Sequence, residues 1–299
     1  MNPLISVIIP TYNHAHFLEN AIQSVVNQTY TNWEIIVIDN HSDDSTHEVV
    51  NGFQDRRISF LKVHNNGIIA LSRNVGIQVA KGKLIAFLDS DDLWYPSKLE
   101  YCVAKINLGY NMVCHAEIWV REENGVRQER KVLYGPERNA TFNKLLFKGN
   151  CISTSAVVVQ NSDVQKVGGF DESPDMITAE DYHLWLKLAR SGARIGFVDE
   201  VLGEYKIHAG NSSKAALRSM NAIRTVFERV YSKMDVHTLI IRIKSVRRRA
   251  IIIYSGARGF QENREFVKAL PLFIEAIFRW PFIPKFYIAM LFNILGRSL

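Results

Sequence analysis

The feature that most constrains this chain is the apolar run Leu84-Ile85-Ala86-Phe87-Leu88, which stops abruptly in Asp89-Ser90-Asp91-Asp92. Flanked by Lys81-Gly82-Lys83 and Trp94-Tyr95-Pro96, the run predicts a strand covered on both faces, as strands of a parallel sheet are. Open α/β sheets bind ligands in the crevice outside the carboxyl ends of their strands, and the acidic residues stand there. Carboxylates gathered so closely repel one another in low dielectric, so a site that collects them is satisfied by a cation. Oxygen ligands with open coordination positions suit Mg2+ or Mn2+ bridging to phosphate oxygens. The competing reading is a solvated Asp-rich turn, or an N-cap for a helix opening near Pro96-Ser97-Lys98-Leu99.

Upstream, Leu4 to Pro10 is a second buried-strand pattern, closed by the turn chemistry of Pro10-Thr11-Tyr12-Asn13. Phe17, Leu18, Ala21, Ile22, Val25 and Val26 then recur at helical spacing, and Trp33 to Ile38 is a third strand running into Asp39. Strand, helix and strand in this span have the size of a right-handed βαβ unit. The pattern repeats with a helix over 45–53, a strand over 58–63 and a helix over 69–80. The strand ends at Asp39, Asn65-Asn66 and Asp89/Asp91 are thus expected at one sheet edge, facing one cleft.

Two common phosphate-binding devices are missing. No G-x-G-x-x-G follows the first strand and no G-x-x-x-x-G-K-[ST] occurs, which weighs against dinucleotide-dependent oxidoreductases and P-loop NTPases. A diphosphate would have to be held by a metal and side chains. Three cysteines, Cys102, Cys114 and Cys151, show no metal-ligand spacing and predict a reducing compartment with no disulfide framework. The first residues lack a basic segment, an apolar core and a cleavage site, so a cytoplasmic protein is expected. The longest apolar candidate, 286–296, reaches only about half of the ~20 residues a spanning helix needs.

Further along, 112–120 reads as a strand, 122–135 as a charged hairpin or loop over the cleft, and 155–159 as another strand. Gly168-Gly169 marks a turn. Ala179 to Ala189 is an amphipathic helix with Glu180 and Asp181 in its first turn. Acids there stabilise the helix macrodipole, which is the ordinary reading; a second carboxylate site is also what acid–base chemistry beside a metal requires. A strand over 198–205 leads to His208, by default a structural histidine.

Taken together, these residues resemble family 2 glycosyltransferases over about residues 4–215. The resemblance rests on Ser6 to Asn13, on Ile36 to Asn40 with Ser42 and Asp43, on Asn66-Gly67 with Ser72-Arg73-Asn74, and on Phe87 to Asp92. It continues through Gly168-Gly169-Phe170-Asp171, Glu180-Asp181, and Tyr205 with His208. It implies an α/β fold of the GT-A type, with a mostly parallel central sheet flanked by helices, and inverting transfer of a single sugar from a nucleotide-diphosphate donor, usually a UDP-sugar. By the same resemblance, Pro10, Thr11, Tyr12, Asn13, Asp39, Arg73, Asp89 and Ser90 line the nucleotide-sugar site, with Asp39 accepting from the base. Asp91 and His208 are implied as ligands of Mn2+ or Mg2+, Asp181 as the general base, and Asp92 and Glu180 as supporting residues. His41 departs from the Gly that many members carry after the base-binding Asp. The Q-x-x-R-W motif of processive synthases is absent, since Ala276 stands at the Gln position before Arg279-Trp280.

The division expected is a catalytic domain over 1–217 and a basic, helical C-terminal region over 218–299. Lys+Arg against Asp+Glu leaves the first part at −4 and the second at +10. Arg242, Lys244, Arg247, Arg248 and Arg249, together with aromatic residues from Phe278 to Phe292, suit a helix lying on an anionic membrane surface. A helical appendage with a solvated basic face fits as well, whereas nucleic-acid binding has no motif behind it. The expected partners are therefore a nucleotide-diphosphate sugar and a saccharide or lipid-linked saccharide acceptor of surface polysaccharide assembly, at the inner face of the cell membrane. The rival classes are a nucleotidyltransferase, whose Gly-rich N-terminal loop is missing, and a non-catalytic sugar-nucleotide or carbohydrate-binding protein.

Overall fold

A computed structural model describes residues 2–123, 125–207, 216–234 and 238–298. The N-terminal part alternates strictly: β1 (Ile5–Thr11), α1 (Ala15–Val26), β2 (Trp33–Asp39), α2 (Thr46–Gly52), β3 (Ile58–Lys62), α3 (Ile69–Val79) and β4 (Leu84–Phe87). Every residue of β1 and β4 is buried, which is why β4 reads as an unbroken apolar run and β1 as one interrupted only by Ser6 before Pro10-Thr11. Helix α1 buries Leu18, Ala21, Ile22 and Val25 on one face. Leu18, Ile22 and Val25, all fully buried, contribute roughly 1.5–3 kcal/mol each.

β5 (Leu93–Trp94), α4 (Lys98–Asn107), β6 (Met112–Glu123), β7 (Val126–Val132), α5 (Phe142–Lys148), β8 (Val157–Gln160), α6 (Asn161–Lys166), α7 (Glu180–Arg190) and β9 (Ile195–Ile207) follow. The sheet order is β3-β2-β1-β4-β8-β6-β9-β5, with β7 hairpinned onto β6. Pairing is parallel from β3 to β4 and again between β6 and β9; β8 joins the two parts by antiparallel pairing to β4 and β6. The charged segment after residue 122 is thus largely strand β7, with Glu117 to Glu123 opposite Val132 to Val126. Strand order reverses between β1 and β4, since β1 is followed on one side by β2 and on the other by β4. That reversal opens the crevice in which doubly wound sheets bind ligands.

The C-terminal helices are α8 (Ala216–Tyr231), α9 (Leu239–Glu262), α10 (Phe266–Arg279) and α11 (Pro284–Ile294). By contacts the chain divides into two compact units: 1–145, 150–172 and 183–208 form the first, and 146–149, 173–182 and 209–299 the second. The first has its core between the sheet and helices α1 and α4, around Val7, Leu18, Trp33, Val37, Leu88 and Leu99. In the second, Ala250, Ile253, Ala257, Phe273, Ala276, Phe286 and Ala289 pack α9, α10 and α11 together. A Cβ at Gly259 would lie 2.6 Å from the Cβ of Ala216, so glycine permits the close approach of α9 to α8. The basic cluster of α9 is partly internal: Arg248 is buried and donates to the carbonyl of Lys148 at 3.3 Å, and Arg249 pairs with Glu228 at 2.6 Å.

Candidate active site

The parallel register places Thr11 beside Asp39 and Pro10 beside Ile38, at the carboxyl ends of β1 and β2. Asp39 is buried and accepts from the Ser42 hydroxyl at 2.5 Å and the Ser42 N–H at 3.1 Å. The Ser42 hydroxyl oxygen accepts in turn from the Asn13 N–H at 2.9 Å, and Asn13 Oδ1 accepts from the Asp43 N–H at 2.9 Å. The two strand ends are thereby stitched into one rim. Asn13 and His41 both take left-handed conformations, with φ of 52° and 57°. His41 therefore keeps the backbone that glycine would favour, and its ring stacks on His64 at 3.6 Å, which offsets part of the local strain. Tyr12, half exposed at the rim, leaves its ring available to a ligand.

Across the crevice, the Leu88 N–H donates to the Ile8 carbonyl and prolongs the β1–β4 ladder to the acidic turn, which the Asp92 N–H closes on the Asp89 carbonyl at 3.0 Å. Arg73, buried on α3, donates to Asp89 Oδ1 at 2.7 Å. The guanidinium lies 5.4 Å from the ring of Phe170, whose backbone N–H and carbonyl are both bonded to the Asn74 side chain. Gly169, at φ 60°, has no room for a Cβ, which would sit 2.6 Å from Asn74 Oδ1. So the Gly168-Gly169-Phe170 turn backs Arg73, and Arg73 orients Asp89. Ser90 Oγ lies 3.0 Å from His14 Nδ1.

Asp92 is buried and accepts from the Ser155 hydroxyl at 2.5 Å and the Lys206 N–H at 3.0 Å. Burial, reinforced by the charges of Asp91, Asp89 and Glu117, raises its carboxyl well above the ordinary range. It ties the turn to β9 and the segment before β8; the helix cap weighed for it is not what it does, since α4 opens at Ser97. Ser155 also accepts from the Asp89 N–H at 3.1 Å, and its carbonyl takes the Trp94 indole N–H at 2.7 Å. No sequence signal singles out Ser155, a lone serine before a short strand. Arg73 holds Asp89, and Ser155 and Lys206 hold Asp92, while Asp91, like Asp89, is partly exposed at the turn. Among the described residues no group of three or more His, Cys, Asp or Glu side chains could hold a metal by itself. One carboxylate at the mouth of a crevice nevertheless fits a Mg2+- or Mn2+-type ion whose other ligands come from phosphates and water.

Deeper in the first unit lie charges that the sequence does not betray. Glu117, on β6, is buried and accepts from the Tyr134 hydroxyl at 2.6 Å, which takes the Trp119 indole N–H at 3.0 Å. Lys98 is buried with its ammonium 3.3 Å from the Trp94 ring centroid and has no hydrogen-bond partner among the described residues. Burial lowers Lys98 to about 7, lifts Glu117 to about 7 and lowers His115 to about 3.

Glu180 and Asp181 open α7 within the second unit. Glu180 is buried and accepts from the Thr178 N–H at 2.8 Å; Asp181 is partly exposed, with its own Oδ1 2.6 Å from the Tyr182 N–H. His208 lies outside the described residues. The first unit thus brings Pro10, Thr11, Tyr12, Asn13, Asp39, Arg73, Asp89, Ser90, Asp91 and Asp92 to the carboxyl ends of β1, β2 and β4.

This architecture is that of the GT-A glycosyltransferases. S. aureus TarS 1-349, solved in complex with UDP-GlcNAc, superposes with a TM-score of 0.66 at 18% identity over 98% of this chain and 87% of that one. The mannosyltransferase PcManGT from Pyrobaculum calidifontis, in complex with GDP-Man and Mn2+, does so with a TM-score of 0.63 at 15% identity over 98% and 85%. Residues 6–164 match the family described as Glycosyl transferase family 2, and the chain belongs to that family. Among its curated relatives is the Escherichia coli UDP-Glc:alpha-D-GlcNAc-diphosphoundecaprenol beta-1,3-glucosyltransferase WfgD, 33% identical over 199 residues, which span 65% of this chain and 75% of WfgD.

Proposed function

We propose that this glycosyltransferase moves a single sugar, with inversion, from a UDP-sugar to a hydroxyl of a lipid-linked saccharide in surface polysaccharide assembly, working at the inner face of the cell membrane. The observation that carries the reading is the acidic turn at the β1/β4 switch point, with Asp39 and Asp89 each fixed by a protein partner around it. The likeness to WfgD, whose name specifies a UDP-sugar donor and a diphosphoundecaprenol-linked acceptor, supports the choice of donor and acceptor.

In this reading Asp39 accepts from the base, Pro10, Thr11, Tyr12 and Asn13 wall the nucleoside, and Arg73 presents Asp89 to the ribose, with Ser90 beside it. Asp181 takes the proton from the acceptor hydroxyl as its oxygen bonds to the anomeric carbon, and the bond to the diphosphate breaks on the opposite face with its electron pair going to UDP. A base so placed contributes about 10²–10⁴ in rate. Asp91, with His208, would hold Mn2+ or Mg2+, which when bound supplies electrostatic stabilisation of charge on the departing diphosphate. Glu180 and Asp92 keep the two carboxylate segments in place.

The test is a panel of UDP-sugars offered with a diphosphate-linked lipid saccharide, following UDP release and the mass and anomeric configuration of the product. One UDP-sugar should give acceptor-dependent UDP and a product one sugar heavier with inverted configuration. Retained configuration, or no acceptor-dependent release from any UDP-sugar, would overturn the proposal.

A further inference from the structure

Helices at a protein surface ordinarily turn a polar face to water. α10 and α11 do not. Around α10, Ala269, Phe273 and Ala276 point into the core, while Val267, Pro271, Ile274 and Phe278 are exposed on the opposite side, Val267 and Phe278 at 87% and 88%. At helical spacing these four fall within a narrow stripe. Around α11, Phe286, Ala289 and Asn293 are buried, and the outward side carries Tyr287, Ile288, Leu291, Ile294 and Leu295, with no charge among them. Phe282, in the link between the helices, is 76% exposed and stands edge-on to Trp280 at 5.5 Å. So many exposed apolar side chains on neighbouring helices point to an interaction site.

The charges beside it indicate the occupant. From the N-cap Glu265 to residue 298 the chain carries Lys268, Arg279, Lys285 and Arg297 against Glu265 and Glu275, which pair with Lys268 and Arg279, so a net positive charge remains. A second copy of the same face would bring like charges together, whereas an anionic lipid surface neutralises them. Trp280 and Tyr287 supply aromatic bodies with polar tips, the side chains that favour the headgroup level of a bilayer. Among the described residues no helix is long and apolar enough to cross a membrane, so the surface would lie on the bilayer.

We infer that the outward faces of α10 and α11, with Phe278 and Phe282 as the deepest anchors, form a docking surface for anionic lipid bilayers. The inference deepens the proposed function by naming the surface that brings the enzyme to a lipid-linked acceptor, and it rests on that reading only for its purpose. It also moves the expected contact away from the Arg248-Arg249 part of α9, which is engaged within the second unit.

The experiment is co-sedimentation of the full chain, without donor or acceptor, with vesicles of phosphatidylcholine alone or mixed with phosphatidylglycerol, at low and high salt. The chain should pellet with the phosphatidylglycerol vesicles and less so as salt rises. Phe278→Ser combined with Phe282→Ser should lower partitioning by about tenfold or more, from the apolar burial of two phenylalanines. Both positions are exposed, and an unchanged thermal midpoint would show that the variant folds. No pelleting, pelleting indifferent to the double substitution, or a dimer dispersed by that substitution with no vesicle binding would each overturn the inference. Transfer to a water-soluble acceptor analogue, assayed in parallel, separates the two claims: its failure counts against the proposed function and leaves the vesicle result standing.

Discussion

The two units handle polarity in opposite ways. The first takes charge inside: Asp39, Asp92, Glu117 and Lys98 are all buried, and the three acids are anchored by Ser42, Ser155 and Tyr134. The second turns apolar side chains out along α10 and α11. Each arrangement is unfavourable for a protein that needs only to fold, since buried charge costs desolvation and exposed apolar area costs hydration. Such costs are accepted where chemistry or contact is needed, which fits the proposed nucleotide-sugar site in the first unit and the proposed docking surface in the second.

The largest test of that contrast is Asp181→Asn, because Asp181 belongs by contacts to the second unit yet is the general base of the proposed function. Turnover should fall by about 10²–10⁴ while donor affinity, measured calorimetrically, and vesicle binding stay as they were. Wild-type turnover would return Asp181 to its ordinary role at a helix N-terminus and leave the chemistry to the first unit.

What could be read from the chain follows the same line. β1, β2 and β4 were legible because strands buried on both faces leave predominantly apolar runs, broken only by Ser6 in β1 and Glu34 in β2, and Asp39, Asp89 and Asp91 were legible because they follow those runs. Partners brought from afar were not. Ser155 reaches Asp92 across 63 positions and Tyr134 reaches Glu117 through a hairpin, and neither has a local signature. Lys98 and Glu117 carry charges that periodicity assigns to solvent, and β6 is irregular against β9 between His115 and Ile118, which blurs its alternation. In the tail, composition gave basic and aromatic character, but only the fold shows that Phe278 and Phe282 face out while Phe286 and Arg248 face in.

An intermediate effect should come from Arg73→Gln, which sharpens the comparison from the side of the first unit. Losing the 2.7 Å charge-assisted bond leaves Asp89 without its orienting guanidinium. Such bonds contribute about 1.5–3 kcal/mol, and the partial exposure of Asp89 favours the lower end, so donor affinity should weaken by about tenfold. Vesicle binding should not change. Loss of vesicle binding together with donor affinity would show that the two surfaces are not independent, and the contrast between the units would fail.

The smallest effect is expected at Glu117, and it bears on whether buried charge in the first unit leaves a trace in stability. Burial lifts this carboxyl from 4.5 to about 7, so the folded chain holds the proton more tightly than the unfolded one. The stability gained is complete below pH 4.5 and is lost as pH rises through about 7. Glu117→Gln has no proton to lose there and retains an oxygen for the Tyr134 hydroxyl. The Lys98 ammonium, lowered to about 7, titrates toward the upper end of this range, so the comparison rests on its acid side. Thermal midpoints measured between pH 4.5 and about 7 should therefore shift in favour of the variant as pH rises, by roughly 2–4 °C for each kcal/mol of stability the wild type gives up. Phe278→Ser, which adds no titrating group to the second unit, should track the wild type at every pH. A Glu117→Gln profile parallel to the wild type would mean that Glu117 is already ionised in the folded chain, held by Lys98 and Tyr134 as a charged pair.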